Sequence, residues 1–157
     1  MPSGSGNAIE ITPLERHDTS ALAELMADYA AAMGGTVREP KPDTVLRLFD
    51  DPSVGLVGAW NGVALVGFAL FFDLSEAISG ERAGQLDDLY VSPGARGHGL
   101  AKALISHLTE IGRERNWVHL RWLVPEDNVA ALRAYEGISE TAPWQSRVIW
   151  LRRELGY

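Results

Sequence analysis

A strand, a glycine-rich turn and a helix follow one another without interruption in residues 86–105, and this stretch constrains the fold most. It reads LDDLYVSPGARGHGLAKALI. Its first six residues are typical of a buried strand that carries two carboxylates, and the apolar residues after the turn recur at helical spacing. Residues 96–99, Arg-Gly-His-Gly, stand where the helix would begin. Free N–H groups and the positive dipole end at such a junction favour a phosphate.

The spacing of the glycines limits which phosphate ligands this loop could hold. A Walker A loop requires Lys and Ser or Thr after its last glycine, but Leu100 follows Gly99 here. The dinucleotide fingerprint requires a third glycine, and Lys102 stands at that position. Gly97 and Gly99 would let a ligand approach the backbone closely, and Arg96 adds a cation. The sequence therefore predicts a phosphate loop of another kind.

A second motif, Asn-Val-Ala-Ala-Leu-Arg-Ala-Tyr, occupies residues 128–135. Asn128 is a favourable N-cap for a helix, and Tyr135 follows seven residues later. Seven residues are about two helical turns, so both side chains lie on one face and could contact one extended ligand. On spacing alone, Tyr135 would be interpreted as a core aromatic residue.

Taken together, the Leu-Tyr-Val strand, the Ser-Pro turn, the Arg-x-x-Gly-x-Ala loop and the Asn/Tyr helix resemble the GNAT N-acetyltransferase superfamily. The strand is nearest in motif to the diamine (spermidine/spermine-type) N-acetyltransferases. The resemblance is specific over residues 85–135 and covers the whole chain in element order. It implies an α/β GNAT acyl-CoA N-acyltransferase fold with a mixed central sheet of about six to seven strands and about four helices. It also implies a single domain over residues 1–157, with residues 1–7 flexible.

The resemblance further implies acetyl-CoA as cosubstrate and assigns site residues. Coenzyme contacts would come from Leu89, Tyr90, Val91, Arg96, Gly97, His98, Gly99, Leu100, Ala101, Lys102, Asn128 and Tyr135. Asp87 would occupy the base position, Asp88 a neighbouring acceptor-side position, and Tyr135 would protonate the departing thiolate. The N–H of Val91 could stabilise the tetrahedral intermediate. Tyr29, on the first helix, could wall the acceptor site.

The two carboxylates have a structural interpretation beside the catalytic one. Asp87 and Asp88 could pair with arginines, although adjacent carboxylates in an apolar strand are costly to bury. Side chains alternate along a strand, so only one of them should face the sulfur unless a bulge re-aims them. The resembled enzymes carry Glu-Asp here, and the shorter Asp favours a bridging water.

The remaining segments predict the order β-α-α-β-β-β-α-β-α-β. We expect a first strand at residues 8–11, helices at 18–33 (capped by Asp18) and 42–50, and strands at 54–60 and 63–73 joined by Asn61-Gly62. A solvated acidic loop over residues 74–84, a strand at 117–124, a helix at 128–136 and a last strand at 146–155 complete the prediction. The continuous apolar run at residues 63–72 predicts a strand covered on both faces.

Composition excludes several classes of function. The net charge of −7 argues against a nucleic-acid binder, and the absence of cysteine excludes disulfides. The four histidines are scattered and predict no metal site. No signal peptide or membrane span is expected, which favours the cytoplasm.

These observations predict an acetyl-CoA-dependent N-acetyltransferase that acts by direct attack on a primary amine of a small molecule. A protein N-terminal or lysine acetyltransferase, a non-catalytic acyl-CoA-binding module and a structural interaction domain are the alternatives. The family pattern Tyr-x-x-x-Gly-Phe is absent after Tyr135, so the acceptor wall should differ from that of the family. Trp144 and Trp150 would pack internally or form the surface of a homodimer.

Overall fold

A five-stranded mixed sheet organises the chain in the computed structural model, which describes residues 8–34 and 40–152. The strands lie side by side in chain order: β1 Ile9–Pro13, β2 Val54–Asn61, β3 Ala64–Ser75, β4 Arg82–Val91 and β5 Trp117–Trp122. Pairing is antiparallel from β1 to β4 and parallel between β4 and β5. The antiparallel start and the parallel crossover predicted around the glycine loop are confirmed. Residues 1–7, expected to be flexible, lie outside the described part.

The described residues contain four helices beside the sheet: α1 Thr19–Met33, α2 Pro42–Leu46, α3 Leu100–Glu114 and α4 Val129–Tyr135. On one face, α1 and α2 bury Leu22 and Val45 against Phe68 of β3. On the other face, α3 buries Leu104 and Leu108 against the neighbouring cluster. Successive residues of β3 enter opposite clusters, as predicted for a strand covered on both sides. No helix in the described residues is long and apolar enough to cross a membrane.

The helix boundaries match the expectation closely, with a difference at the start of α1. Asp18 is the N-cap residue, but its side chain makes no capping bond to α1 and instead accepts the backbone N–H of Glu15 at 2.8 Å. The predicted second helix is divided into α2 and a 3-10 turn at Arg47–Asp50. The hairpin between β2 and β3 forms as predicted, but its two turn residues are Gly62 and Val63, because Asn61 is the last residue of β2 and pairs with Ala64. Gly62 has a φ of 62°, as a tight hairpin requires.

The predicted acidic loop at residues 74–84 is wrong in its extent, because β3 runs to Ser75 and β4 begins at Arg82. Asp73 lies in β3, as predicted, and its carboxylate binds two arginines. Arg82 donates through Nε and Arg115 donates through Nη1 at 2.9 Å. The strands extend beyond the predicted ends because Leu74 pairs with Ala83 and Ser75 pairs with Arg82.

The predicted last strand at residues 146–155 is wrong over its described part. Residues 140–152 form neither helix nor strand, and the sheet has five strands instead of six to seven. The apolar alternation there expresses strand propensity, but a strand also needs a paired edge. The side chains of Trp144, Ile149 and Leu151 are 84%, 86% and 90% exposed.

Candidate active site

A β-bulge in β4 separates the two adjacent carboxylates. Leu70 of β3 pairs with Asp88 and Phe71 pairs with Leu86, so Asp87 is the extra residue. Leu86 and Leu89 consequently pack on the same face, against the α3 side. Asp88 lies opposite them, on the α1 side with Leu70 and Tyr90. The bulge thus determines which carboxylate faces α1, a question that the sequence had left open.

Asp88 is the half-buried member of the pair, and Asp87 is exposed. Burial and, to a smaller degree, the negative charge of Asp87 raise the pKa of Asp88 above its usual value. A hydrogen bond from the Tyr29 hydroxyl acts in the opposite direction, because it stabilises the carboxylate. A carboxyl group with a raised pKa holds a proton more readily near neutral pH, as a general base must.

Beyond the bulge, β4 presents a free edge toward β5. The N–H of Ser92 donates to the carbonyl of Val66 at 2.8 Å. In an antiparallel ladder this bond makes Val91 and Gly67 a non-hydrogen-bonded pair, so the N–H of Val91 points away from β3. Leu89 is two residues earlier and points the same way. Because β5 ends at Trp122, the partner of Leu86, no strand in the described residues pairs with these groups.

The predicted glycine loop follows β4 directly. A 3-10 turn at Pro93–Ala95 leads into residues 96–99, and Gly99 is the N-cap residue of α3. Gly97 and Gly99 have φ values of 82° and 75°, a left-handed backbone conformation that residues with a side chain rarely adopt. A Cβ at either position would meet open space. The first amides of α3, at Leu100, Ala101 and Lys102, have no intrahelical acceptor. The loop can therefore receive an anion at its backbone.

Arg96 makes a contact that its sequence position did not predict. Its Nε donates to the carbonyl of Val91 at 2.9 Å, and its guanidinium lies 5.6 Å from the ring centroid of Tyr90. Arg96 thereby ties the loop to the end of β4. His98 and Lys102 are exposed.

The second motif contacts β5 through Tyr135. The Asn128 Oδ1 accepts the N–H of Ala131 at 3.2 Å, so Asn128 caps α4 as predicted. The Tyr135 ring packs edge-on against Trp122 with centroids 5.4 Å apart. Burial raises the pKa of Tyr135, so its hydroxyl keeps its proton at neutral pH and can donate it.

Tyr29 is the residue whose contact the sequence could not identify. It lies on the apolar stripe of α1, where an aromatic residue is usually a core residue. Its ring packs 5.2 Å from that of Tyr90 and 5.9 Å from that of Phe68. The structure thus brings together a base candidate, a free strand edge and an anion loop, which suit acyl transfer from a phosphate-bearing carrier.

Comparison with known proteins agrees with this geometry. Residues 20–138 match the model of the acetyltransferase (GNAT) family. A ribosomal-protein-alanine N-acetyltransferase from Brucella melitensis biovar Abortus is 36% identical, with 92% of this chain and 100% of that chain covered and a TM-score of 0.79. No curated protein sequence matches the chain.

Two more distant structures share the fold. An aminoglycoside acetyltransferase from an uncultured soil metagenomic sample is 18% identical, covering 92% of this chain and 95% of that chain, with a TM-score of 0.80. An acetyltransferase from Trypanosoma brucei is 23% identical, covering 92% and 100%, with a TM-score of 0.76. None of these similarities supports the diamine N-acetyltransferases as the nearest group.

Proposed function

The chain belongs to the acetyltransferase (GNAT) family, and from this membership we propose that it transfers the acetyl group of acetyl-CoA to a primary amine. Enzymes of this family use acetyl-CoA as cosubstrate, and the chain is an acyltransferase of that kind. The observation that carries the proposal is the free edge of β4 at Leu89 and Val91, continuous with the open glycine loop.

In this proposal the loop and the strand edge hold the coenzyme. The amides of residues 97–102 would bind the pyrophosphate at the start of α3. The edge groups of Leu89 would pair with the extended pantetheine arm, as another strand would, and the N–H of Val91 would stay available for the acetyl group. Arg96 would hold the loop against the end of β4. The side-chain amide of Asn128 caps α4 through Oδ1, so its Nδ2 would donate to the coenzyme.

The acceptor amine must lose its proton before it attacks. We assign this to Asp88, directly or through a water, because Asp88 is half-buried and has the raised pKa. Asp87, the base suggested by the resemblance, is exposed and would instead attract the cationic acceptor. The amine nitrogen then bonds to the thioester carbon, and the N–H of Val91 would stabilise the charge on oxygen. As the C–S bond breaks, Tyr135 would protonate the sulfur.

The acceptor class that we favour is the α-amine of a protein N-terminus. Its support is the 36% identity with a ribosomal-protein-alanine N-acetyltransferase over nearly the whole chain. The second candidate is a small-molecule amine, for which the aminoglycoside enzyme offers an example on the same fold. Both acceptors are cations that two adjacent carboxylates would attract.

The test is a thiol-release assay with acetyl-CoA and two acceptor panels, peptides with free α-amines and small primary amines. We expect turnover with some free-amine peptides and none with the same peptides blocked at the N-terminus. Tyr135→Phe should lower kcat by about 10²-fold while leaving the Trp122 contact intact. Turnover with small amines alone would favour the second candidate. Coenzyme binding without turnover on any amine would contradict the proposal.

We further propose that the enzyme is a homodimer in the cytoplasm. The outer edge of β5 pairs with no strand in the described residues. Trp144, Ile149 and Leu151 are exposed in the segment that follows α4. An extended apolar segment can add to an open edge, and two copies could exchange such segments around a two-fold axis. The cysteine-free sequence supports a reducing compartment. Light scattering should give a dimer that truncation after residue 139 dissociates, and a monomeric full chain would contradict this.

A further inference from the structure

We propose that a cavity at the start of β4 and β5 binds an acidic side chain of the acceptor peptide. The cavity has a volume of about 180 Å³, and its polar lining residues are Glu76, Gln85, His119 and Arg121. This volume suits one side chain and is too small for a whole ligand. The inference rests on the proposed function, because it assigns a subsite to the acceptor that Asp88 deprotonates.

Cross-strand pairing places the cavity on the face of the sheet that carries the proposed base. Asp88 pairs with Leu70 of β3, and Gln85 pairs with Phe72. Opposite residues of an antiparallel pair point to the same face, and both Leu70 and Phe72 pack in the cluster on the α1 side. Gln85 therefore shares a face with Asp88. Three residues of strand separate them, which corresponds to a distance on the order of 10 Å.

Arg121 supplies the positive charge of the cavity. It is the register partner of Gln85 in the parallel pair of β4 and β5, and its Nη2 donates to Gln85 Oε1 at 3.3 Å. No carboxylate in the described part of the chain forms an ion pair with Arg121. Its remaining N–H donors are therefore available to a ligand, and the planar guanidinium matches a carboxylate in shape and charge.

Glu76 is the acidic residue of the lining, and its carboxylate is already engaged. Its Oε2 accepts the N–H of Ser79 at 2.7 Å and the hydroxyl of Ser79 at 2.6 Å. His119 adds a ring N–H donor in either of its charge states. A basic side chain would be repelled by Arg121, and an apolar one would leave its donors unpaired. An acidic side chain fits this lining best.

The distance from the base indicates which residue of the peptide carries the acid. An extended peptide advances about 3.3 Å per residue, and its side chains alternate between two sides. With the α-amine at Asp88, the third residue lies about 7 Å along the face and its side chain covers the remaining distance to Arg121. We therefore expect a preference for Asp or Glu at the third position.

The test uses peptide pairs that differ only by Asp or Asn at the third position, in the thiol-release assay. The wild type should give a kcat/KM about five- to tenfold higher for the Asp peptide. Arg121→Met should bring this ratio to about one without changing kcat/KM for the Asn peptide, because only the charged contact is lost. Arg121→Glu should prefer Lys at that position. Arg113→Met is the matched control, since it removes the same charge from the exposed surface of α3 and should keep the ratio.

A second readout does not depend on turnover. The side-chain amide resonances of Gln85 should shift during titration with the N-acetylated Asp peptide and stay unchanged with the Asn peptide. Equal rates for both peptides in the wild type, or an unchanged ratio in Arg121→Met, would overturn the inference while leaving acetyl transfer intact. Gln85 resonances that respond to neither peptide would also overturn it. A wild type that acetylates no amine would instead contradict the proposed function.

Discussion

Leu86 and Leu89 pack against the same face of the sheet although they are three residues apart in one strand. Regular alternation would place them on opposite faces. The extra residue Asp87 shifts the alternation by one, so that Asp88 turns toward α1 while Leu86 and Leu89 turn toward α3. Because Asp88 is then enclosed by α1, this irregularity gives the two carboxylates different environments.

The first prediction separates the two carboxylates by substitution. Asp88→Asn should lower kcat/KM by about 10²–10³-fold because it removes a general base, whereas Asp87→Asn should lower it less than about tenfold.

Burial and Asp87 raise the pKa of Asp88, so its charged form costs stability at neutral pH. Urea unfolding should therefore find Asp88→Asn at least as stable as the wild type at pH 7, with the difference vanishing below about pH 4. Equal kinetic losses in both variants would contradict the assignment.

The second prediction concerns the left-handed glycine of the loop. Gly97→Ala forces a side chain into a φ of 82°, which costs about 1–2 kcal/mol, and places a methyl group in the open space above the amides. The KM for acetyl-CoA should rise about tenfold. Gly94→Ala is the matched control, since its Cβ meets nothing within 4 Å and its φ is ordinary. A similar KM change in both variants would argue against a phosphate site at Gly97.

The third prediction concerns the packing of the Trp117 ring against two glycines. Gly84 and Gly112 lie against its ring, and a Cβ on Gly112 would come within 2.6 Å of Trp117 Cε3. Gly112→Ala should destabilise the fold by about 1–3 kcal/mol through overpacking. Trp117→Phe in the Gly112→Ala background should recover part of that loss in thermal unfolding, because the smaller ring frees space. Absence of any recovery would show that the cost arises elsewhere.

The fourth prediction follows from the ion pairs of Asp73. Burial acts to raise the pKa of Asp73, but hydrogen bonds from Arg82 and Arg115 outweigh it and hold the pKa below its usual value. The stabilisation is therefore present above about pH 4 and lost as the pH falls through the folded-state pKa. Both arginines are about half exposed, so Asp73→Asn should cost about 1 kcal/mol at pH 7.

The control for Asp73 is another ion pair in the same protein. Asp50 pairs with Arg16, and both side chains are more than half exposed. Asp50→Asn should change the unfolding free energy by less than the error of a urea titration. If the two variants are equally stable at pH 7, or if the Asp73 difference persists at low pH, the role given to Asp73 is wrong.

The sequence predicted the features that local chemistry determines. Asn61-Gly62 predicted the hairpin, the apolar spacing predicted α3, and the glycines predicted the backbone of the loop. Each of these depends on a few neighbouring residues. Element order then followed from short connections and from the parallel crossover.

Long-range pairing accounts for the features that the sequence did not predict. The pattern around Asp87 fits a regular strand as well as a bulged one, and only pairing with β3 decides between them. Arg115 lies 42 residues from Asp73, so no local pattern predicts their ion pair. Tyr29 sits on an apolar stripe, and its ring contact with Tyr90 is visible only in three dimensions. In the segment after α4, apolar residues alternate with charged ones as in a strand. Whether such a segment joins a sheet depends on a free strand edge beside it, which the local sequence does not specify.

The central claim is that the free edge of β4 and the glycine loop hold the coenzyme beside Asp88 and Tyr135. Backbone amide NMR during titration with coenzyme A tests it most directly, because it observes each amide separately. We expect the largest shifts at Val91, Gly97 and Gly99, with smaller ones at Asn128. Saturable shifts confined to other surfaces, with these four amides unchanged, would contradict the account.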